Sequence, residues 1–111
     1  MGNQRFATGS WEFFATEATP GLTIGASSTA LTETVYDSAT AAAPAAHASF
    51  ALLTVENDQI RWFADGTTPT ASFGHLTNAG DSIELCGPNQ IRNFRAIRVT
   101  TNAIVQVSYG R

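Results

Sequence analysis

From residue 48 onward the chain is a succession of short alternating runs, each broken by turn-forming residues, and that rhythm limits its fold more than any other feature. "ASFALLTVE" puts Ala48, Phe50 and Leu52 on one face and Ala51, Leu53 and Val55 on the other. A period of two is the mark of an extended strand between two environments. "IRWFA" follows the turn "NDQ". "SIELC" follows "NAGD", with Ile83 and Leu85 inward and Ser82 and Glu84 outward. After "GPNQ", "NFRAIRVT" and "AIVQVSYG" read as a closing hairpin around Thr101-Asn102, with Val105, Val107 and Tyr109 opposite Gln106 and Ser108. "ALTETVY" (30–36) alternates as a strand as well. Gly, Asn, Asp and Pro punctuate these runs because they accept the backbone angles that turns demand. Six or seven short strands predict an all-β fold, an antiparallel β-sandwich or jelly-roll-like barrel with almost no helix.

Residues 1–30 break the rhythm. They are rich in Thr, Ser, Ala and Gly, and Pro20-Gly21 and Gly25 interrupt any long strand. This predicts an extended N-terminal arm over 1–30 ahead of a β-sandwich domain over 31–111. Trp11, Phe13 and Phe14 are the arm's candidate partner-binding residues, since exposed aromatic clusters mark contact surfaces. The competing reading makes "WEFF" an edge strand of its own sandwich. "SATAAAPAAHA" (38–48) is a connector whose alanines favour helix while Pro44 opposes it.

At 111 residues the chain makes one domain, and its 43% hydrophobic content supplies a core. Only 14% of residues are charged, against about 25% in ordinary soluble domains. Such a surface is covered by small polar residues or buried against other chains. The net charge is −3 with no lysine. Residues 1–59 set Arg5 against Glu12, Glu17, Glu33, Asp37, Glu56 and Asp58, and residues 60–111 set Arg61, Arg92, Arg95, Arg98 and Arg111 against Asp65, Asp81 and Glu84. An acidic front and a basic back attract each other within or between subunits. Cys86 is alone, which excludes an internal disulfide or a cysteine metal cluster. No run approaches the roughly 20 apolar residues of a membrane helix, so no membrane partner is expected. The opening "MGNQRF" has no apolar signal region, which predicts folding in a cytoplasm.

The loop "DGTTPT" (65–70) lies where function often gathers, between strands. Each of its residues nonetheless has a turn-forming reason to be there. His47 and His75 are the two imidazoles, and neither has metal-ligand or nucleophile-elbow spacing. Asp58, Asp65, Asp81 and Glu84 offer no distinctive carboxylate pair for glycoside chemistry and no calcium-loop run. No enzymatic activity and no cofactor or metal are therefore expected. Arg92, Arg95 and Arg98 flank Phe94, but on a strand Arg95 faces away from the other two, so no cationic stripe for nucleic acid forms. Pairing with a partner's carboxylates suits these arginines better, and Arg92 and Arg95 join the candidate partner-binding residues. A carbohydrate-binding module is the rival reading. Trp62, Tyr36 and Tyr109 would stack on sugar rings beside Asn78, Asp81 and Asn89, or Trp62 is a core aromatic.

The second half of the chain carries a resemblance. Ile60, Arg61, Trp62, Asp65, Gly66, Thr67, Pro69, Thr70 and Gly74, then Ala79-Gly80-Asp81 and the closing Val107-Ser108-Tyr109, resemble a family of small tailed-bacteriophage structural proteins. Those proteins share a strand, "IRW…DGT.PT…G", an "AGD" turn and a last strand ending in "VSY". Residues 1–47 carry none of the pattern. The resemblance implies a virion component of the head or head–tail region, made in the host cytoplasm and without enzymatic activity. The function expected is capsid decoration, as a cement protein that clamps neighbouring subunits of the major capsid protein or another virion protein. Self-association is expected too, with a trimer preferred because cement proteins of such families often sit at threefold positions. A tail, fibre-anchor or head–tail adaptor role is the alternative within the virion.

Overall fold

A computed structural model describes residues 12–37 and 48–111. Among these residues nine strands run in chain order: β1 (Phe13–Thr16), β2 (Leu22–Ile24), β3 (Thr29–Ala30), β4 (Phe50–Glu56), β5 (Ile60–Phe63), β6 (His75–Thr77), β7 (Ser82–Cys86), β8 (Arg95–Arg98) and β9 (Ala103–Gly110). Among the described residues two single-turn helices join them, α1 (Glu33–Tyr36) and α2 (Pro88–Arg92). The strands form two antiparallel sheets. In the first, β9 pairs on one side with β1 and β2 and on the other with β4, which pairs with β7. The second has the order β3-β8-β5-β6. Every connection from β2 to β9 passes from one sheet to the other except β5–β6, which is the wiring of a jelly roll. The expected all-β sandwich is what the chain forms.

The alternation seen in the sequence sets the core. Ala51, Leu53 and Val55 of β4, Ile83 and Leu85 of β7, and Val105, Val107 and Tyr109 of β9 all face inward and are buried. Ile60, Phe94 and Ala96 meet them from the second sheet. Phe50 points to the outer side of the first sheet yet is fully buried, with Phe13 packed on it at 5.7 Å between ring centroids.

Four local expectations are corrected. Residues 12–30 are extended, but they do not stand off from the domain: β1 and β2 lie along β9, and β3 lies along β8. These described residues pair with the sandwich strands, and Phe13 and Phe14 of "WEFF" lie on the edge strand of the competing reading. "ALTETVY" is not a strand past Ala30. Val35 N and Tyr36 N both bond to Thr32 O (2.9 and 3.2 Å), closing α1 and swinging Tyr36 onto Tyr109 in the core. "GPNQ" is more than a turn, because Pro88 stands in the first turn of α2, where a missing N–H costs nothing, and the helix carries on to Arg92. Finally, β8 and β9 flank Thr101-Asn102 but lie in different sheets, so they are not a hairpin. His47, Trp11 and the connector 38–47 lie outside the described residues.

Candidate functional site

The β5–β6 hairpin holds the "DGTTPT" loop, and the loop is tied down along its length. Asp65 Oδ1 accepts from Thr67 N (3.0 Å), and Gly66 N donates to Asn93 O (3.0 Å). Hydrogen bonds from Thr67, side chain then backbone, hold the Asp65 carboxyl below its ordinary value. Pro69 is buried, and Thr70 and Phe73 exchange two backbone bonds of 2.9 and 3.1 Å. Arg61 closes the base, donating from Nε to Ala71 O (3.1 Å) and from Nη1 to Gly74 O (2.9 Å). Gly74 is needed there. Its φ is +138°, and a Cβ would lie 3.2 Å from both Arg61 Cβ and Trp62 N. These bonds hold the loop's shape.

Trp62 has the same inward parity as Ile60. Its ring lies 5.7 Å from Phe94 and 5.0 Å from His75, and Nε1 donates to Thr77 Oγ1 (2.9 Å). It packs against the core as a partly buried ring. Tyr36 and Tyr109 are buried as well.

The other described candidate contact residues lie apart. Phe14 packs against the core and carries the Arg111 guanidinium 5.1 Å above its ring, while Phe13 remains 49% exposed on the edge strand. Arg92 lies on α2 rather than on a strand, and it pairs with Asp37 at 3.2 Å. This joins the acidic front to the basic back within one chain. Arg95 Nη1 donates to Arg92 O and Phe94 O (3.2 and 2.8 Å), at the end of α2. Among the described candidates, Phe13 and Phe14 lie on β1, while Arg92 and Arg95 lie on and just after α2.

A different surface forms one patch. On the outer face of the second sheet, Arg61 stands between Leu76 of β6 and Ile97 of β8, and Phe63 stands beside Arg95. Phe73 stacks on Phe63 with ring centroids 4.9 Å apart. Phe73 is 55% and Leu76 46% exposed. Sequence reading placed Arg61 and Phe63 on a strand, alternating with Ile60 and Trp62, but alternation alone does not show that Leu76, Ile97 and Phe73 gather beside them.

It also missed the buried carboxylate of Glu17. Both oxygens are bonded, Oε2 by Tyr109 Oη (2.6 Å) and Thr32 N (3.1 Å), and Oε1 by Thr32 Oγ1 (2.8 Å). All three donors are neutral and belong to the chain's own framework, so the group serves as a clamp. Among the described residues there is no concave pocket, and no group of three His, Cys, Asp or Glu side chains is placed to hold a metal ion. No helix there is long and apolar enough to cross a membrane. No protein family, curated protein sequence or solved structure matches the chain.

Proposed function

We propose that the chain is a virion structural protein that acts by binding, most specifically as a capsid decoration (cement) protein bridging neighbouring shell subunits. The observation that carries this reading is the outer face of the second sheet, where apolar Phe73 and Leu76 are presented beside Arg61. Jelly rolls recur among capsid and lectin domains, and the phage-like run from Ile60 to Tyr109 favours the first of these. Trp62, turned inward with its N–H taken, weighs against the second.

The mechanism is mass action. Apolar area covered at a subunit junction stabilises the joined state by about 25 cal/mol per Å² before the costs of association. A protein that binds only the assembled shell shifts the equilibrium away from its rupture. The test is deletion of the reading frame from the genome that encodes it. Particles lacking the chain should release their contents at lower temperature or in milder osmotic shock, and the purified chain should restore them. Unchanged particles that do not take up the added chain would overturn the proposal.

A further inference from the structure

Among the described strands β6 is the outer edge of the second sheet, and the ladder beside it fixes which way its backbone faces. Arg98 N donates to Gly25 O (3.0 Å), away from β5, and Val99 N donates to Gln59 O (3.3 Å), toward β5. Along an antiparallel pair such groups alternate in direction. Gln59, Arg61 and Phe63 therefore turn their backbone groups to β8, and Ile60 and Trp62 turn theirs to Thr77 and His75 of β6. Leu76, between those two, aims its N–H and C=O away from the sheet. No hydrogen bond among the described residues reaches either group.

The edge of the first sheet is treated differently. On β7, Cys86 N donates to Gln90 Oε1 at 2.8 Å, so the chain caps that edge with a side chain of its own. No side chain caps β6 in this way among the described residues. Neither Lys nor Pro, two usual guards of an edge, occurs in it. Its central side chain is the exposed Leu76.

Charge lies at the start of the same edge. Arg61 donates from Nε to Ala71 O and from Nη1 to Gly74 O, which holds its guanidinium against the residue that precedes β6. Those bonds use only part of the guanidinium's donors. Both acceptors are carbonyls, so among the described residues no carboxylate offsets the charge. In a strand laid along β6, every second side chain shares a face. A side chain opposite Leu76 then points outward with it, and the next one on that face lies by Gly74 and the Arg61 guanidinium.

We infer that the partner docks here by strand addition. An extended segment of the shell subunit pairs along β6, with an apolar side chain over Leu76 and a carboxylate two residues away on Arg61. The inference rests on the reading of the chain as a shell protein and names the kind of segment that the shell presents to it.

Amide exchange on particles prepared without the chain and then loaded with it tests the inference. The Leu76 amide, open to solvent in the free chain, should exchange roughly tenfold more slowly, or slower still, on the particle. Leu76→Ala keeps the N–H and Leu76→Pro removes it. An edge N–H outside the ladder admits proline without unfolding, which circular dichroism and the urea midpoint check. Leu76→Pro should bind particles roughly tenfold more weakly than Leu76→Ala, and wild-type uptake should fall as salt rises. Three results overturn strand addition while leaving the place on the shell standing: uptake with the Leu76 amide unprotected, equal binding by the two variants, or uptake indifferent to salt. Particles that take up no chain at all overturn both.

Discussion

Tyr109 Oη donates a 2.6 Å hydrogen bond to Glu17 Oε2 across 92 positions of sequence. That bond fastens the segment after β1 to the end of the central strand β9. Thr32 adds its N–H and O–H to the same carboxylate, so the start of α1 is drawn into the clamp. A buried charge costs several kcal/mol unless its oxygens are satisfied, and here neutral donors satisfy both. Tyr109→Phe keeps the ring against Tyr36 and removes only the donor. Hydrogen bonds to charged groups contribute about 1.5–3 kcal/mol, so the urea midpoint should fall by a corresponding amount. An unchanged midpoint would show that the bond contributes nothing.

The same tyrosine makes stability depend on alkali. Burial first, then its bond to Glu17, raises the Tyr109 phenol far above its ordinary 10.0, and burial with the nearby Glu33 raises Tyr36. An acid whose folded value is raised contributes stability that is complete below the unfolded value and is lost as pH climbs above it. Stability should therefore fall above about pH 10, at up to about 1.4 kcal/mol per pH unit for each such group. Tyr109→Phe should flatten this limb in denaturant titrations at pH 9–11.

Acid acts through Asp58, whose carboxylate takes Thr101 Oγ1 at 2.6 Å, Gln59 N at 2.7 Å and Thr101 N at 2.8 Å. These bonds, Thr101's hydroxyl foremost, depress its pKa below the ordinary 3.8. The sign is opposite to that of Tyr109. The contribution is present above 3.8 and disappears as pH falls through the lowered folded value. Melting temperatures between pH 2 and 6 should drop less on acidification in Asp58→Asn than in wild type.

Gly110 tests how closely the first strand is laid down. A Cβ there would lie 2.9 Å from Glu12 O, which accepts from Arg111 N at 3.0 Å while Glu12 N donates back to Arg111 O at 3.0 Å. Gly110→Ala should cost about 1–3 kcal/mol, the range for forced overpacking. Amide exchange should quicken over residues 12–16 before it does in β4.

Deleting residues 1–20 should be far harsher, since it removes β1 and Glu17 together. The truncated chain should lose the β-sheet circular dichroism signal or melt well below wild type. A truncated domain that melts like wild type would mean that the strand is dispensable.

Strand faces were legible wherever one side is buried: Ala51, Leu53 and Val55, Ile83 and Leu85, and Val105, Val107 and Tyr109 all point as their alternation says. Alternation reports which face a residue takes but not which strand lies beside it. That is why Thr101-Asn102 reads as a hairpin when it is a step between sheets. The segment 12–30 misleads because each of its pieces is only two to four residues long and its stability comes from β9 and β8, far away in sequence. Glu17 had no local signature, because what makes it special is a tyrosine near the other end of the chain. Arg92 was assigned a strand parity because a five-residue helix begun by Gly87 (φ +95°) and Pro88 is too short to show a period. The outer face of the second sheet was only half visible, since it needs Leu76 and Ile97 brought to either side of Arg61.

Electron cryomicroscopy of particles made by the genome that encodes the chain is the most direct test of the claim that it works as a bound shell component. The expected image shows a two-sheet jelly roll seated at junctions between capsid subunits, with Phe73, Leu76 and Arg61 buried in a protein contact. Particles that carry no such density, from preparations in which the chain is abundant but free, would contradict it.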